Sequence, residues 1–183
     1  KSRYFINTYN KKHGFGVFFI TNIGGTKNKD ITEIRAWFVD VDFAKIQEVF
    51  ESEEEAARRG FQLEQTGEFI SIKVELEKGK YILRAVYNQK TLQKKKQAYL
   101  LDHKERLNNA VILEVYAGFH IYFLAREATI NNWTKIENAL IEKFNGDVQV
   151  KKLANLMRVN GFLHQKYDDS FETKVIQWSD KAF

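Results

Sequence analysis

The sequence predicts an α+β fold built on a mainly antiparallel sheet. Three observations favour this class. Strand-like and helix-like segments are intermixed along the chain, two pairs of strands are separated only by short turns, and the run from Ile34 to Asp42 is apolar enough for a buried strand. Because short turns join antiparallel strands, the hairpins favour α+β over a parallel βαβ architecture.

The first half of the chain predicts two strands, a helix and a hairpin. Their ranges are a strand at 14–22, a turn at 22–25, a strand at 34–42, a helix at 43–59, and hairpin strands at 69–76 and 81–86. Apolar residues at spacings of three and four predict the helix, and Gly60 is expected to end it. Gly79 is expected in the hairpin turn.

The second half predicts two helices, another hairpin and a last strand. Their ranges are a helix at 89–107, hairpin strands at 111–116 and 119–124 around a turn at 117–118, a helix that closes at 145–146, and a strand at 173–178. Asn131 or Asn132 is expected to cap the later helix. Its apolar face is predicted to comprise Trp133, Ile136, Leu140 and Phe144.

The composition limits the possible functions. With 183 residues the chain can form one domain with a real core, or a core and a small lobe. It has no cysteine, which excludes disulfides, cysteine-ligated zinc and thiol nucleophiles.

No apolar run approaches the roughly 18 residues of a membrane span, and the start lacks a signal-peptide core, so we expect a cytoplasmic protein with no membrane contact. The first residue is not Met, and we expect a part of a longer protein. The net charge of +5 favours polyanionic partners.

Two acids in the central strand indicate a metal site. Asp40 and Asp42 are two residues apart, so on a strand both side chains project from one face, with Cα atoms roughly 7 Å apart. Neighbouring carboxylates in a half-buried sheet need a positive partner, and their hard oxygen atoms suit Mg²⁺ or Mn²⁺. The alternative is a strand end with two solvated acids, or acids paired with lysine or arginine.

Further candidates follow along the chain. His120 begins a strand directly after a turn, where an imidazole can face a cleft and donate to a phosphate; the alternative is a core histidine. Asp147 is a third acid that opens a new segment after a helix, or else a simple turn acid. Arg158 and Lys166 flank a bend at Gly161, an arrangement that suits a triphosphate, although both could be ordinary surface cations.

Taken in order, these motifs resemble those of the archaeo-eukaryotic primase superfamily, and most of all the primase-polymerases of plasmids, phages and other mobile elements. The resemblance covers about 14–178 and rests on four motifs: Asp40 with Asp42, Gly118 with His120, Gly146 with Asp147, and Arg158 to Lys166. The sequence departs from the family pattern at Gly118, where serine is common, and at Asn160, where proline is usual. The stretch 61–109 is longer than in many relatives and is predicted to be an inserted lobe.

The resemblance implies an antiparallel catalytic sheet like that of the RNA-recognition motif (RRM-like), with flanking helices and an additional α/β lobe, in one catalytic domain over 1–183. It implies a DNA primase or DNA polymerase that uses NTP or dNTP, two Mg²⁺ or Mn²⁺ ions, a single-stranded DNA template and primer, and a replicative helicase in cis or in trans. The implied metal ligands are Asp40, Asp42 and Asp147, and the implied nucleotide contacts are Gly118, His120, Arg158 and Lys166.

Nucleic-acid contacts are expected from basic and aromatic residues near the cleft. The candidates are Arg35, Tyr116, Phe119, Lys94, Lys95 and Lys96. For the three lysines, a solvated helix face is an equally good interpretation.

Three other functions compete with a primase. A non-catalytic RRM-like module would bind a single strand by stacking bases on sheet aromatics, for which the candidates are Phe18, Phe19, Tyr122 and Phe123. A gap-filling repair polymerase would share the primase fold. A rolling-circle nuclease would need a His-x-His pair, which the four histidines of the sequence do not form.

Overall fold

The computed structural model describes residues 2–166 and 171–183 and has the predicted α+β class. In chain order the elements are α1 (Ser2–His13), β1 (Phe18–Ile20), a 3₁₀ turn (Asn28–Asp30), β2 (Ala36–Asp42), β3 (Lys45–Phe50), α2 (Glu53–Glu64), β4 (Phe69–Glu77), β5 (Lys80–Tyr87), α3 (Gln89–Asp102), α4 (Lys104–Leu107), β6 (Val111–Val115), β7 (Gly118–Leu124), α5 (Ile130–Lys143), β8 (Leu156–Arg158) and β9 (Lys174–Gln177). Among the described helices, none combines the length and apolar character needed to cross a membrane.

The chain divides into two compact units, one of residues 1–41 with 105–183 and one of residues 42–104. The first unit contains a four-stranded sheet of order β2-β7-β6-β9 and a two-stranded ribbon of β1 with β8. The second unit contains a three-stranded antiparallel sheet of order β3-β5-β4. The predicted inserted lobe, 61–109, overlaps the second unit.

The sheet of the first unit has two chemically different faces. Leu113 lies opposite His120 and Val111 opposite Tyr122, so these four side chains share one face. On the other face, Phe123 stacks on Phe144, which directly follows α5, with ring centroids 5.3 Å apart. Strands β6 and β7 are buried almost throughout, which explains why both are apolar on both faces.

The predicted helix over 43–59 is wrong in its first half, because residues 45–50 form strand β3. Ile46 and Phe50 are half-buried and alternate with exposed neighbours, and the strand pairs with β5 along its whole length. The apolar residues that recur at spacings of three and four, and so predicted a helix, also fit a strand whose side chains alternate between two faces. Helix α2 begins after Ser52, whose hydroxyl accepts a hydrogen bond from the Glu55 N–H. Gly60 does not end this helix; it is buried in its interior.

The predicted start of the later helix is also wrong. Thr129, not Asn131 or Asn132, precedes the first turn of α5, and its carbonyl accepts from the backbone N–H of Trp133. Within the helix the buried residues are Trp133, Glu137 and Ile141, whereas the predicted core residue Ile136 is exposed. The buried face of α5 is therefore rotated about the helix axis from the predicted apolar face, and it includes the acid Glu137.

Smaller differences concern turns and ends. The hairpin turn between β6 and β7 lies at 116–117, so Gly118 is the first residue of β7 and not part of the turn. The first predicted strand is only three residues long, the helix over 89–107 is interrupted after Asp102, and helix α1 was not predicted. The hairpin of β4 and β5 is confirmed: Lys78 (φ 51°) and Gly79 (φ 82°) both have the positive φ of a type I′ turn.

Candidate active site

Strand β2, which carries Asp40, is the outer strand of its sheet, and three groups cover its open edge. The Trp133 indole N–H donates to the Ala36 carbonyl (3.4 Å), a Glu137 oxygen accepts from the Phe38 N–H (3.1 Å), and the Asp147 N–H donates to the Asp40 carbonyl (2.7 Å). Backbone groups of alternate strand residues point to the same side, so these contacts follow one another along a single edge. They fix the strand at the position from which Asp40 projects.

Glu137 is the functional neighbour that sequence reasoning missed. It is fully buried, and its Oε1 has no hydrogen-bond partner among the residues that the structure describes. Burial raises the pKa of its carboxyl to about 8, against a smaller opposite effect of the hydrogen bond from Phe38. The group is therefore mostly protonated at neutral pH. Its spacing of four residues from Trp133 and from Ile141 was the available signal, but an acid in an amphipathic helix is normally assigned to solvent.

His120 lies beside Asp40, with 3.7 Å between Nε2 and the carboxylate Oδ1. Burial, and to a smaller extent the positive charges of Arg158 and His164, lowers the pKa of His120 to about 3. The imidazole is therefore neutral at physiological pH, and its contact with Asp40 is not an ion pair.

A tyrosine lies on the other side of His120. The Tyr122 hydroxyl lies 3.5 Å from Nδ1 of His120. Burial, and then the negative charge of Asp40, raises the pKa of Tyr122, so its hydroxyl remains protonated and can donate to Nδ1 in one tautomer or accept from it in the other. In the first tautomer the imidazole proton is on Nε2, the nitrogen nearest Asp40. In both, the site presents a neutral imidazole next to a carboxylate.

The carboxylates of the other two predicted acids accept hydrogen bonds from backbone N–H groups two residues further along the chain. Asp42, the last residue of β2, accepts from the Ala44 N–H (2.6 Å), and Asp147 accepts from the Gln149 N–H (2.8 Å). Within 2–166 and 171–183, no group of three or more histidine or acidic side chains is arranged to hold a metal ion. The hard carboxylate oxygens suit Mg²⁺ or Mn²⁺ chemically, and Asp147 is tied to Asp40 through the backbone. In both acids the backbone hydrogen bond is to Oδ1, so Oδ2 can bind an ion while that bond is kept.

Gly146 explains how Asp147 comes so close to β2. Asn145 has a positive φ of 52° that ends α5, and the Gly146 N–H then donates to the Ile141 carbonyl. A Cβ atom at Gly146 would lie 2.3 Å from Val39 Cγ1 and 3.3 Å from the Asp40 carbonyl oxygen. Only glycine permits this approach without a shift of the turn.

Arg158 borders a cavity of about 290 Å³ in the same unit, on the sheet face that carries Tyr122. The walls are mainly apolar, and Phe19, Trp178 and the two arginines Arg35 and Arg158 are among the residues that line it. Strand pairing of β8 with β1 places the Arg158 guanidinium 4.8 Å from the Phe18 ring centroid. After burial, the positive charge of Arg158 is the next cause of the lowered pKa of His120. Lys166 is exposed beyond the bend at Gly161 (φ 79°).

Several predicted template contacts are inaccessible. Tyr116 and Phe119 are buried, and the register places Phe119 on the face opposite to His120, which removes both rings as candidates for base stacking. Arg35 is exposed and forms an ion pair with Glu33 (3.0 Å). Lys94, Lys95 and Lys96 belong to the second unit; Lys96 is buried, and Lys95 lies over the Tyr87 ring at 4.4 Å.

Comparison with known proteins identifies one relationship, at the level of the fold. No protein-family model and no curated protein matches the chain. Among solved structures, it is similar to the AEP domain of the primase-polymerase (PrimPol) of cyanophage S-2L, with 14% sequence identity and a TM-score of 0.50. The match covers 93% of this chain and 66% of that one, so the chain spans just under two thirds of that domain. This protein has the archaeo-eukaryotic primase fold, as its motifs predicted.

Proposed function

We propose that the protein is a template-dependent nucleotidyltransferase, a DNA primase or DNA polymerase that acts on single-stranded templates. The observation that carries this proposal is the convergence of Asp40, His120 and Asp147 at one end of β2. The imidazole lies 3.7 Å from the Asp40 carboxylate, and the backbone bond to the Asp40 carbonyl brings the main chain of a second acid, Asp147, to the same strand end. The primase fold and the order of the motifs support the same reaction.

In this proposal Asp40, Asp42 and Asp147 bind divalent Mg²⁺ or Mn²⁺. Two such ions, when bound, favour attack by a 3′-hydroxyl and stabilise the departing pyrophosphate. The backbone bond from Asp147 to Asp40 keeps the main chains of two of the proposed ligands next to each other. Alternation along β2 directs Asp42 to the same side of the strand as Asp40.

The remaining residues are proposed to hold the nucleotide. Neutral His120 donates an N–H to a phosphate oxygen without adding charge beside the metal ligands. Arg158 neutralises part of the triphosphate charge, and Lys166 and the Gly118 backbone are further proposed contacts. The cavity bordered by Arg158 can receive the nucleoside, because its aromatic and aliphatic walls suit a base and a sugar.

One observation favours a different function, a non-catalytic module for single strands. Phe18 and Phe19 on β1 are exposed, as base-stacking residues must be, although Tyr122 and Phe123 are buried. A gap-filling polymerase of the same fold is a third possibility, and it differs from a primase only in its need for a primer.

Replacement of Asp40 and Asp42 by asparagine tests the proposed reaction. The double variant keeps the side-chain volumes and removes two metal ligands, so nucleotide incorporation on single-stranded DNA with Mn²⁺ should fall by at least about 1,000-fold. Asp102→Asn, an exposed acid at the end of α3, is the matched control and should retain wild-type activity. Mn²⁺ binding, followed by electron paramagnetic resonance, should be lost in the double variant alone.

The same assay separates the alternatives. Full synthesis by the folded double variant would refute the proposed metal site. A wild-type protein that binds single-stranded DNA but neither binds Mn²⁺ nor incorporates nucleotides would be a binding module. Short products on unprimed templates would establish a primase, and extension of annealed primers alone would establish a polymerase. NTP and dNTP are supplied in parallel reactions.

A further inference from the structure

Helix α1 exposes a row of aromatic rings that the proposed reaction does not use. Phe5, Tyr9 and His13 recur every fourth residue and so lie on one helix face, and Phe15 follows the helix. The ring centroids are 4.5 Å apart for Phe5 and Tyr9, 5.3 Å for Tyr9 and His13, and 5.8 Å for Tyr9 and Phe15. Phe5, Tyr9 and Phe15 are 61%, 42% and 59% exposed. We call Phe5, Tyr9, His13 and Phe15 the α1 aromatic row.

The charged residues of helix α1 itself are all basic. The sequence of α1 contains no acidic residue, and it contains Arg3, Lys11 and Lys12, the last two in its final turn beside His13. Helix α2, by contrast, begins with three glutamates. A ligand of this surface must therefore offer flat groups for the rings and negative charge for the cations. Single-stranded nucleic acid offers both along its length, whereas an apolar protein partner would give the cations no counterpart.

The α1 aromatic row is also held in place. Asn10 is fully buried, and its side-chain amide donates to the carbonyls of Phe15 (2.8 Å) and Leu163 (3.0 Å) and accepts from the Leu163 N–H (2.8 Å). The Gln165 side chain donates to the Asn10 carbonyl (2.7 Å). These bonds fasten the end of α1 to the segment between Arg158 and Lys166. Rings on a fastened helix lose little freedom when a base stacks on them.

We propose that the α1 aromatic row is a binding surface for single-stranded nucleic acid, distinct from the proposed metal ligands. Bases stack on Phe5, Tyr9 and Phe15, and Lys11 and Lys12 contact phosphates. A role in feeding a template to the active site rests on the proposed function, but the binding itself does not.

Fluorescence anisotropy with labelled oligothymidylate, in EDTA and without nucleotides, tests this surface separately from catalysis. Changing Phe5, Tyr9 and Phe15 to leucine preserves apolar volume and removes the aromatic faces, so the dissociation constant should rise about tenfold or more. The matched control is Phe61→Leu, a phenylalanine that is 64% exposed on the acidic helix α2, and its affinity should equal that of the wild type. The double change Lys11→Gln and Lys12→Gln should reduce the salt slope of the logarithm of the affinity by about 0.7 per lost phosphate contact.

Three results would overturn the inference. One is unchanged affinity in the leucine variant. The second is a wild-type dimer in analytical ultracentrifugation that the leucine variant fails to form, with DNA binding intact, since the face would then hold a second copy of this chain. The third is an equal loss of affinity in Phe61→Leu. Thermal denaturation checks that the triple variant is folded, and Phe5→Leu alone, at a ring that is 61% exposed, repeats the test with minimal disturbance. The leucine variant keeps all three proposed metal ligands and should bind Mn²⁺ like the wild type, so failure of this surface and failure of the proposed reaction give different results.

Discussion

At the scale of single residues, Asp40 contributes both its side chain and its backbone carbonyl to the candidate site. Its carboxylate lies beside a neutral histidine, and its carbonyl accepts the backbone N–H of Asp147. The ordered motifs predicted that Asp40, His120 and Asp147 belong to one site. They did not predict the backbone bond or Glu137, because contacts between residues a hundred positions apart leave no local periodicity. The face of Phe119, by contrast, follows from strand alternation: it precedes His120 on β7 and therefore lies on the other side of the sheet, where it is buried.

Gly146→Ala tests whether close packing on β2 positions Asp147. The added methyl would collide with Val39, which is fully buried and cannot yield. The turn should move away from β2, with a loss of about 1–3 kcal/mol in the free energy of unfolding. Nucleotide incorporation should fall as well, because Asp147 leaves its place beside Asp40. Urea denaturation and the incorporation assay measure the two effects.

The control for this change is Asn145→Gly, one residue earlier. Asn145 already has a positive φ, which glycine adopts without strain, so stability should be equal or slightly higher and incorporation unchanged. Wild-type stability and activity in Gly146→Ala would show that the turn tolerates a side chain and that the close approach does not position Asp147.

At the scale of elements, β2 shows how an edge strand can be protected by side chains instead of another strand. A free strand edge attracts other strands, and here an indole, a carboxyl and a backbone amide occupy it. Element type was predictable where a short, continuous apolar run made a buried strand, as in β2, β6 and β7. It failed at 45–50, where pairing with β5 decided between two patterns that the sequence fits equally well.

The buried acid on this edge predicts a pH dependence of stability. The pKa of Glu137 is about 8 in the folded protein and near its ordinary value of 4.5 in the unfolded chain. The folded state therefore binds the proton more tightly, and the stability that this proton contributes is complete below pH 4.5 and lost as the pH rises to about 8. Glu137→Gln keeps an acceptor for the Phe38 N–H and cannot ionise. Relative to this variant, the wild type should lose about 1.4 kcal/mol in its free energy of unfolding per unit of pKa difference, or on the order of a few kcal/mol between pH 5 and 8.5.

Urea denaturation at several pH values measures this difference. Glu142→Gln, at an exposed position on the same helix, is the control and should follow the wild type throughout. Parallel stability curves for the wild type and Glu137→Gln would mean that the carboxyl of Glu137 is not held protonated by the fold.

At the scale of the whole molecule, each of the two units has a core of its own. In the second unit Leu63, Leu83 and Ala85 are buried, and partly buried apolar side chains surround them: Ile46, Phe50, Phe69, Ile72 and Val74. The predicted inserted lobe begins at residue 61, whereas the second unit begins at residue 42, where β2 continues without a glycine, a proline or a polar linker. Composition shifts, the usual sign of a boundary, are absent there.

Leu83→Ala tests whether the two cores act separately. Leu83 is fully buried in β5, and removing its side chain should leave a cavity that costs about 2–5 kcal/mol in the second unit. Hydrogen exchange followed by mass spectrometry should then show faster exchange in peptides from 42–104, with the protection of β6 and β7 unchanged. Ile121→Ala, at an equally buried position of β7, is the reciprocal control and should accelerate exchange in the first unit alone, in peptides from 1–41 and 105–183. Faster exchange throughout the chain in both variants would mean that the units unfold as one cooperative domain, because a cavity in either core would then lower the stability of every amide.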